Sequence, residues 1–234
     1  MTDSFYDTVD RWSSVDLPRT KAAFALAASL NPNRILDIGS DRGENSAALA
    51  VATNATVVCA DISEAAVQAC RERGLEAHRA AIGESPLPFD SNSFDVVHMA
   101  EVIEHLAHPD RAMEEIRRVL RPKGHVIIST PNLACLPNRL LLPLGLQPIF
   151  TEVSEDRVLG RGIHLFGQDS KPVGHLRIYS KRALLEFVEL SGFRTVRLRG
   201  VPLHTNGFIS RLEQVASLRT GWAMILVLLA RKLD

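Results

Sequence analysis

Two acidic residues and a histidine lie close together in Glu101-Val102-Ile103-Glu104-His105. In a helical turn, positions i, i+3 and i+4 share one face, so Glu101, Glu104 and His105 would converge. Two carboxylates and an imidazole suit a hard or borderline divalent cation, magnesium or zinc. The same side chains equally suit plain pairing with each other or with the backbone, and both readings stand. A second set lies upstream. Gly39 and Gly43 bracket a polar turn. Glycine there takes positive φ and admits a ligand to the backbone. Asp61 follows about 20 residues on, the spacing at which an acid accepts from ribose hydroxyls in nucleotide-binding sheets. Asp61 or Ser63 also reads as a helix N-cap.

These residues need strands and helices to hold them. The glycine turn follows the apolar run Ile35, Leu36, Ile38, as in a strand buried on both faces, and precedes an alanine-rich helical stretch. Residues 56–61 read as a second strand ending at Asp61. A helix over 63–73 closes at Gly74, and a more polar strand over 75–81 belongs near an edge. Residues 94–99 form the fourth strand, 109–120 a helix stopped by Arg121-Pro122-Lys123-Gly124, and 125–130 the fifth strand. Residues 18–30 form an alanine-rich helix with Pro18 in its first turn. Ser180 caps a helix over 181–190, and strands over 193–198 and 222–230 follow. The alternation predicts right-handed βαβ units: an α/β, Rossmann-like, doubly wound, mostly parallel sheet. Residues 1–16, with Phe5, Tyr6 and Trp12, read as a short lid helix or a frayed end.

The chain has 234 residues, 46% of them hydrophobic, and a net charge of +0. That fits one domain over 1–234, with residues 133–173, which break the alternation, as an inserted cap. The balanced charge speaks against a nucleic-acid partner. Cys59, Cys70 and Cys135 lack any CxxC spacing, which argues against a cysteine zinc site or a disulfide framework. The opening residues lack a signal-peptide pattern, so a cytoplasmic location is expected. Residues 133–150 are leucine-rich, broken by prolines and too short to span a bilayer. They suit an apolar acceptor, a peripheral membrane contact, or a helical hairpin packed on the sheet edge. Residues 152–168 are polar. His98, His164 and His204 read as structural or surface residues.

The motifs together resemble the class I S-adenosylmethionine-dependent methyltransferases. The resemblance rests on Leu36-Asp37-Ile38-Gly39-Ser40-Asp41-Arg42-Gly43, on Leu87-Pro88-Phe89 with Ser93-Phe94-Asp95-Val96-Val97, on Glu101 to His105, and on Arg118-Val119-Leu120-Arg121-Pro122-Lys123-Gly124. It covers about residues 34–132. It implies a seventh strand running antiparallel between the fifth and sixth. It also implies an S-adenosyl-L-methionine site from Asp37, Gly39, Ser40, Gly43, Asp61, Ile62, Gly83, Glu84, Ala100 and Glu101. The sequence departs from the family at Asp41, where a glycine is usual, and at Gly83, where an aspartate is usual and Glu84 stands beside it. A cationic sulfonium favours nearby carboxylates, and Asp37, Asp61 and Glu101 are available. Asp37 is expected to accept from the glycine turn or to orient the ligand's amine.

More closely, Glu101, Glu104 and His105 resemble metal-dependent O-methyltransferases of the ubiquinone pathway and of small-RNA terminal riboses. In both, a further histidine follows the Thr-Pro-Asn segment, a place held here by His175. The resemblance thus implies a cation on Glu101, Glu104, His105 and His175. Without a cation, His105 and His175 are the candidate general bases, and Tyr179 is a candidate to orient the acceptor. The expected reaction is methyl transfer to a small-molecule, apolar or lipid-linked acceptor, at oxygen rather than nitrogen. The alternatives are a non-catalytic binding module on the same fold, and an RNA 2'-O-methyltransferase using Arg194, Arg197 and Arg199.

Overall fold

The computed structural model describes residues 15–161, 171–205 and 207–234. The expected lid helix near the start, apart from its last residues, and His164 lie outside them. Seven strands form one sheet: β1 (Arg34–Ile38), β2 (Thr56–Asp61), β3 (Glu76–Arg79), β4 (Phe94–Ala100), β5 (Leu120–Pro131), β6 (Phe193–Val201) and β7 (Ile225–Lys232). Their order is β3-β2-β1-β4-β5-β7-β6. The first five pair in parallel, and β7 runs antiparallel to both β5 and β6. The parallel part is what the alternating pattern predicts, and the antiparallel β7 between β5 and β6 is what the family resemblance implies.

The helices are α1 (Pro18–Ala28), α2 (Glu44–Thr53), α3 (Glu64–Glu72), α4 (Pro109–Val119), α5 (Leu136–Leu141), α6 (Lys181–Leu190) and α7 (Gly207–Ser217). Sheet register follows from burial. Ile35, Leu36, Val96, Val97, Val126 and Ile127 are all buried, so both sheet faces are covered, as a parallel sheet requires. One core cluster gathers Leu36, Val97, Met113, Ile116 and Leu184 under α4 and α6. The other gathers Phe24, Leu26, Ile35, Leu49 and Ile127 under α1 and α2. β7 is buried from Ile225 through Ala230. Each large aliphatic side chain so buried contributes about 1.5–3 kcal/mol.

Local signals set most boundaries. Ser63 Oγ accepts from Ala66 N at 3.2 Å and caps α3. Ser180 Oγ accepts from Ala183 N at 3.3 Å and caps α6. Several boundaries differ from expectation, β6 for one running on to Val201. β5 begins at Leu120 because Leu120 pairs with Phe94 across a register shift, so Arg121 to Gly124 belong to the strand. β7 begins at Ile225, because Thr220–Trp222 winds into a 3-10 turn. Within residues 133–150, the prolines divide the chain into the single-turn α5 and a 3-10 turn, Leu142–Leu144.

Candidate functional site

The carboxyl ends of β1, β2 and β4 open onto a cavity of about 570 Å³. Such ends are where doubly wound sheets take ligands. Ile38, Gly39, Asp61, Ile62, Glu84, Glu101, Val102, His105, Glu155 and Leu176 are among its walls. The glycine turn and the spaced acid thus face one space.

The turn is built by the backbone. Gly39 N donates to Ala60 O at 2.8 Å, and Gly43 N to Ser40 O at 3.0 Å. Gly39 and Gly43 have φ of 73° and 80°, the region open to glycine at little cost. A Cβ on Gly39 would be driven into Val102 Cγ2. Asp41, the departure from the family pattern, also takes a positive φ, 46°. Aspartate tolerates that conformation better than most residues. Asp61 steadies it: Oδ2 accepts from Asp41 N at 2.9 Å and Oδ1 from Ser63 N at 3.0 Å. The carboxylate therefore both organises the turn and lines the cavity.

The second departure has a packing cause. Gly83 has φ of 85°, and a Cβ there would meet His108 O at 2.7 Å. A side chain has no room at 83, whereas Glu84 lines the cavity. Asp37 sits behind the turn. Its Oδ2 accepts from Ser46 Oγ at 2.6 Å, and its Oδ1 lies 2.7 Å from His98 Nδ1. It ties β1 to α2 and β4 rather than accepting from the glycine turn. Ser40 is buried with its Oγ 3.6 Å from Cys70 Sγ, and Ala100 is half-buried at the end of β4. Asp37, Ser40, Gly43, Gly83 and Ala100 are not among the residues that line the cavity.

Beyond Gly39, the acidic segment departs from a helical turn. Glu101 has φ of 55°, and only Ile103–His105 wind as a 3-10 turn. Glu101 consequently points elsewhere. Its Oε1 accepts from Ser129 Oγ at 2.8 Å, and its Oε2 lies 4.0 Å from Arg19 Nε. Glu104, His105 and His175 do come together: one ligand atom from each lies within 4.8 Å of the others. Glu104 is fully buried. Its Oε2 accepts from Thr130 Oγ1 at 3.0 Å, and its Oε1 has no partner among the described residues. Burial, and then the nearby Glu101 charge, hold its carboxyl well above the ordinary carboxylate range.

His105 Nδ1 lies 2.9 Å from Gly174 O, and His175 Nδ1 lies 2.8 Å from Phe150 O. A carbonyl only accepts, so each Nδ1 carries the proton and a neutral ring keeps its lone pair on Nε2. The two rings lie 4.9 Å apart between centroids. The segment bearing His175 is held from both sides. Glu152 accepts from Val173 N, Gly174 N and His175 N at 2.7, 2.8 and 3.0 Å. Leu176 N and Arg177 N donate to Glu104 O. Tyr179 is buried, and burial first of all pushes its phenol up to about 12. His98 and His204 pair with Asp37 and Glu213.

Sequence reasoning passed over Arg19, Glu152 and Glu155. Arg19 carried a readable signal: it stands in the first turn of α1, where the helix dipole disfavours a cation.

Comparison with known proteins agrees with this geometry. Residues 36–128 match the family model of a methyltransferase domain. A demethylmenaquinone methyltransferase of Clavibacter sepedonicus is 38% identical over 104 residues, 42% of this chain and 42% of that protein. The ubiquinone/menaquinone biosynthesis C-methyltransferase UbiE of Burkholderia mallei is 34% identical over 133 residues, 53% of this chain and 55% of its own. The chain thus spans about half the length of these curated relatives. A solved Burkholderia thailandensis 1,6-didemethyltoxoflavin-N1-methyltransferase, with bound 1,6-didemethyltoxoflavin and S-adenosylhomocysteine, superposes with TM-score 0.60 at 18% identity. It covers 99% of this chain and 84% of that one, and shows the shared fold.

Proposed function

We propose, because the chain belongs to the class I S-adenosylmethionine-dependent methyltransferase family, that it methylates a small apolar acceptor using S-adenosylmethionine. The carrying observation is that Gly39, Asp61, Glu101 and His105 line one cavity at the strand ends. The residues fit this methyl donor. Gly39 leaves the backbone bare where a Cβ would collide with Val102, and Asp61 offers a carboxylate to a sugar. Glu84, on the same cavity wall, would meet the base, while Glu101 and the Arg19 beside it would supply both signs of charge for an amino-acid end. When bound, S-adenosylmethionine supplies an electrophilic methyl group on sulfur.

The protein's part is alignment and proton removal. Without a cation, His105, which lines the cavity, and His175 beside it, each fixed through Nδ1, take the acceptor's proton. For a phenolic acceptor this proton loss activates the oxygen and the adjacent ring carbon alike. Oxygen is our first reading, from the Glu104–His105–His175 group. Carbon is the second, favoured by the relative named as a ubiquinone/menaquinone biosynthesis C-methyltransferase. The exposed Leu140, Leu142 and Leu144 support an apolar or lipid-linked acceptor and contact with a membrane surface.

The same three residues suit a divalent cation. One carboxylate and two imidazoles form a borderline donor set, better matched to zinc than to magnesium. Both Nδ1 bonds to carbonyls are the outer-shell support usual for metal-binding histidines. A cation there would supply Lewis acidity to an acceptor oxygen.

Titration calorimetry with S-adenosylhomocysteine tests the donor site, and binding is expected. Absence of binding would leave the non-catalytic reading in its place. Elemental analysis and turnover in chelator test the cation. Loss of turnover restored by zinc is expected; unchanged turnover in a metal-free protein assigns the proton to the histidines alone. Mass spectrometry of a methylated hydroquinone distinguishes oxygen from carbon.

A further inference from the structure

Helix α7 is turned inside out. Its buried residues are Ser210, Glu213 and Ala216. Phe208, Leu212 and Val215, on its other side, are 74%, 54% and 67% exposed. A surface helix ordinarily packs its apolar stripe on the core. Here polar bonds hold the opposite orientation. The Glu213 carboxylate accepts from Leu203 N and His204 N at 3.0 and 2.9 Å and lies 2.8 Å from His204 Nδ1. Ser210 Oγ donates to His204 O at 3.1 Å.

Charge completes the pattern. Arg211, in α7, and Arg219, just beyond it, are exposed. The one acid of α7, Glu213, is turned inward. The segment 133–151 contains no acid and exposes Arg139 beside Leu140 and Leu142. It sits on the same side of the sheet, since Leu141 and Leu203 pack against one core cluster. Face-to-face pairing of two copies through α7 would bring its arginines together, and α7 turns no acid outward to meet them. An anionic surface complements the face instead.

We propose that α7 is an interfacial helix that lays Phe208, Leu212 and Val215 into an anionic lipid bilayer, with Arg211 and Arg219 at the headgroup phosphates. This extends the membrane contact read from Leu140, Leu142 and Leu144 to a second element and names its lipid class, and it does not depend on methyl transfer in the cavity.

Flotation of the full chain with vesicles tests it, using phosphatidylcholine alone and phosphatidylcholine mixed with phosphatidylglycerol. Binding to the mixed vesicles is expected, weakening as salt rises. The variant F208S/L212S should lower partitioning by about tenfold or more. R211Q/R219Q should reduce binding to the level on neutral vesicles. Val51→Ser, an exposed change on α2, should alter nothing. S-adenosylhomocysteine affinity, measured on each variant, should stay constant, so failure at the vesicle and failure at the donor site register separately. The proposal is overturned by absence of binding to mixed vesicles or by binding indifferent to these substitutions. It is equally overturned by a dimer in light scattering that F208S/L212S dissociates.

Discussion

Gly39→Ala probes whether the turn after β1 is shaped by its neighbours as well as by its own backbone. At φ of 73°, an alanine costs about 1–2 kcal/mol relative to glycine. Its Cβ is also driven into Val102 Cγ2. Val102 leads into Glu104 and His105, so relief requires the turn or that segment to shift. Overpacking of this kind costs about 1–3 kcal/mol, giving a sum of about 2–5 kcal/mol. A double-mutant cycle with Val102→Ala separates the two parts, because removing the valine relieves the overlap and leaves the φ cost intact. Urea unfolding of the four proteins should return a coupling of about 1–3 kcal/mol. Calorimetry with S-adenosylhomocysteine should follow: about tenfold or more weaker for Gly39→Ala, and largely recovered in the double variant. The reasoning is refuted if the two changes add within about 0.5 kcal/mol, or if Gly39→Ala unfolds like the parent.

Asp61→Ala removes the acceptor for Asp41 N and Ser63 N as well as the sugar contact proposed for it. S-adenosylhomocysteine affinity should fall about tenfold to a hundredfold in calorimetry, and an unchanged affinity would remove Asp61 from the site. Glu152→Ala releases the three amides that steady His175. Turnover should drop about tenfold or more with donor affinity unchanged, a split that steady-state kinetics and calorimetry read together. Tyr179 is pushed up to about 12 by burial. The unfolded chain ionises this phenol near pH 10 and the folded one does so later. Its contribution to stability is therefore full below about pH 10 and falls as pH rises toward 12. Tyr179→Phe should abolish that fall in urea unfolding, and ultraviolet titration should show the late phenolate.

The sheet was readable because a strand covered on both faces is mostly apolar. Ile225 to Ala230 is an unbroken apolar run, and Ile35 to Ile38 and Val96 to Met99 are interrupted only by Asp37 and His98, which pair with each other. Gly39 and Asp61 were readable together because the spacing of turn and acid is set by one crossover helix. The separation of Glu101 from Glu104 was not, since nothing in Ala100-Glu101-Val102 announces a left-handed backbone. That single torsion separates Glu101 from Glu104 and turns it toward Arg19. The partner choice of Asp37 was hidden for a different reason: His98 lies 61 residues away and reaches it only through β1–β4 register. The role of Glu152 depends on contacts across 21 to 23 residues, which local pattern cannot report.

The clasp formed by Glu152 has an evolutionary reach. Because one carboxylate gathers the amides of residues 173–175, the excursion between its two ends is closed at the base, like a loop of cord drawn through a ring. Its described part carries Glu155 to the cavity wall, while the three amide bonds hold the His175 end. If His105 and His175 handle the proton as proposed, acceptor choice can drift around Glu155 while that pair stays put, so new selectivities would be sought most productively by diversifying the cord and leaving the ring alone.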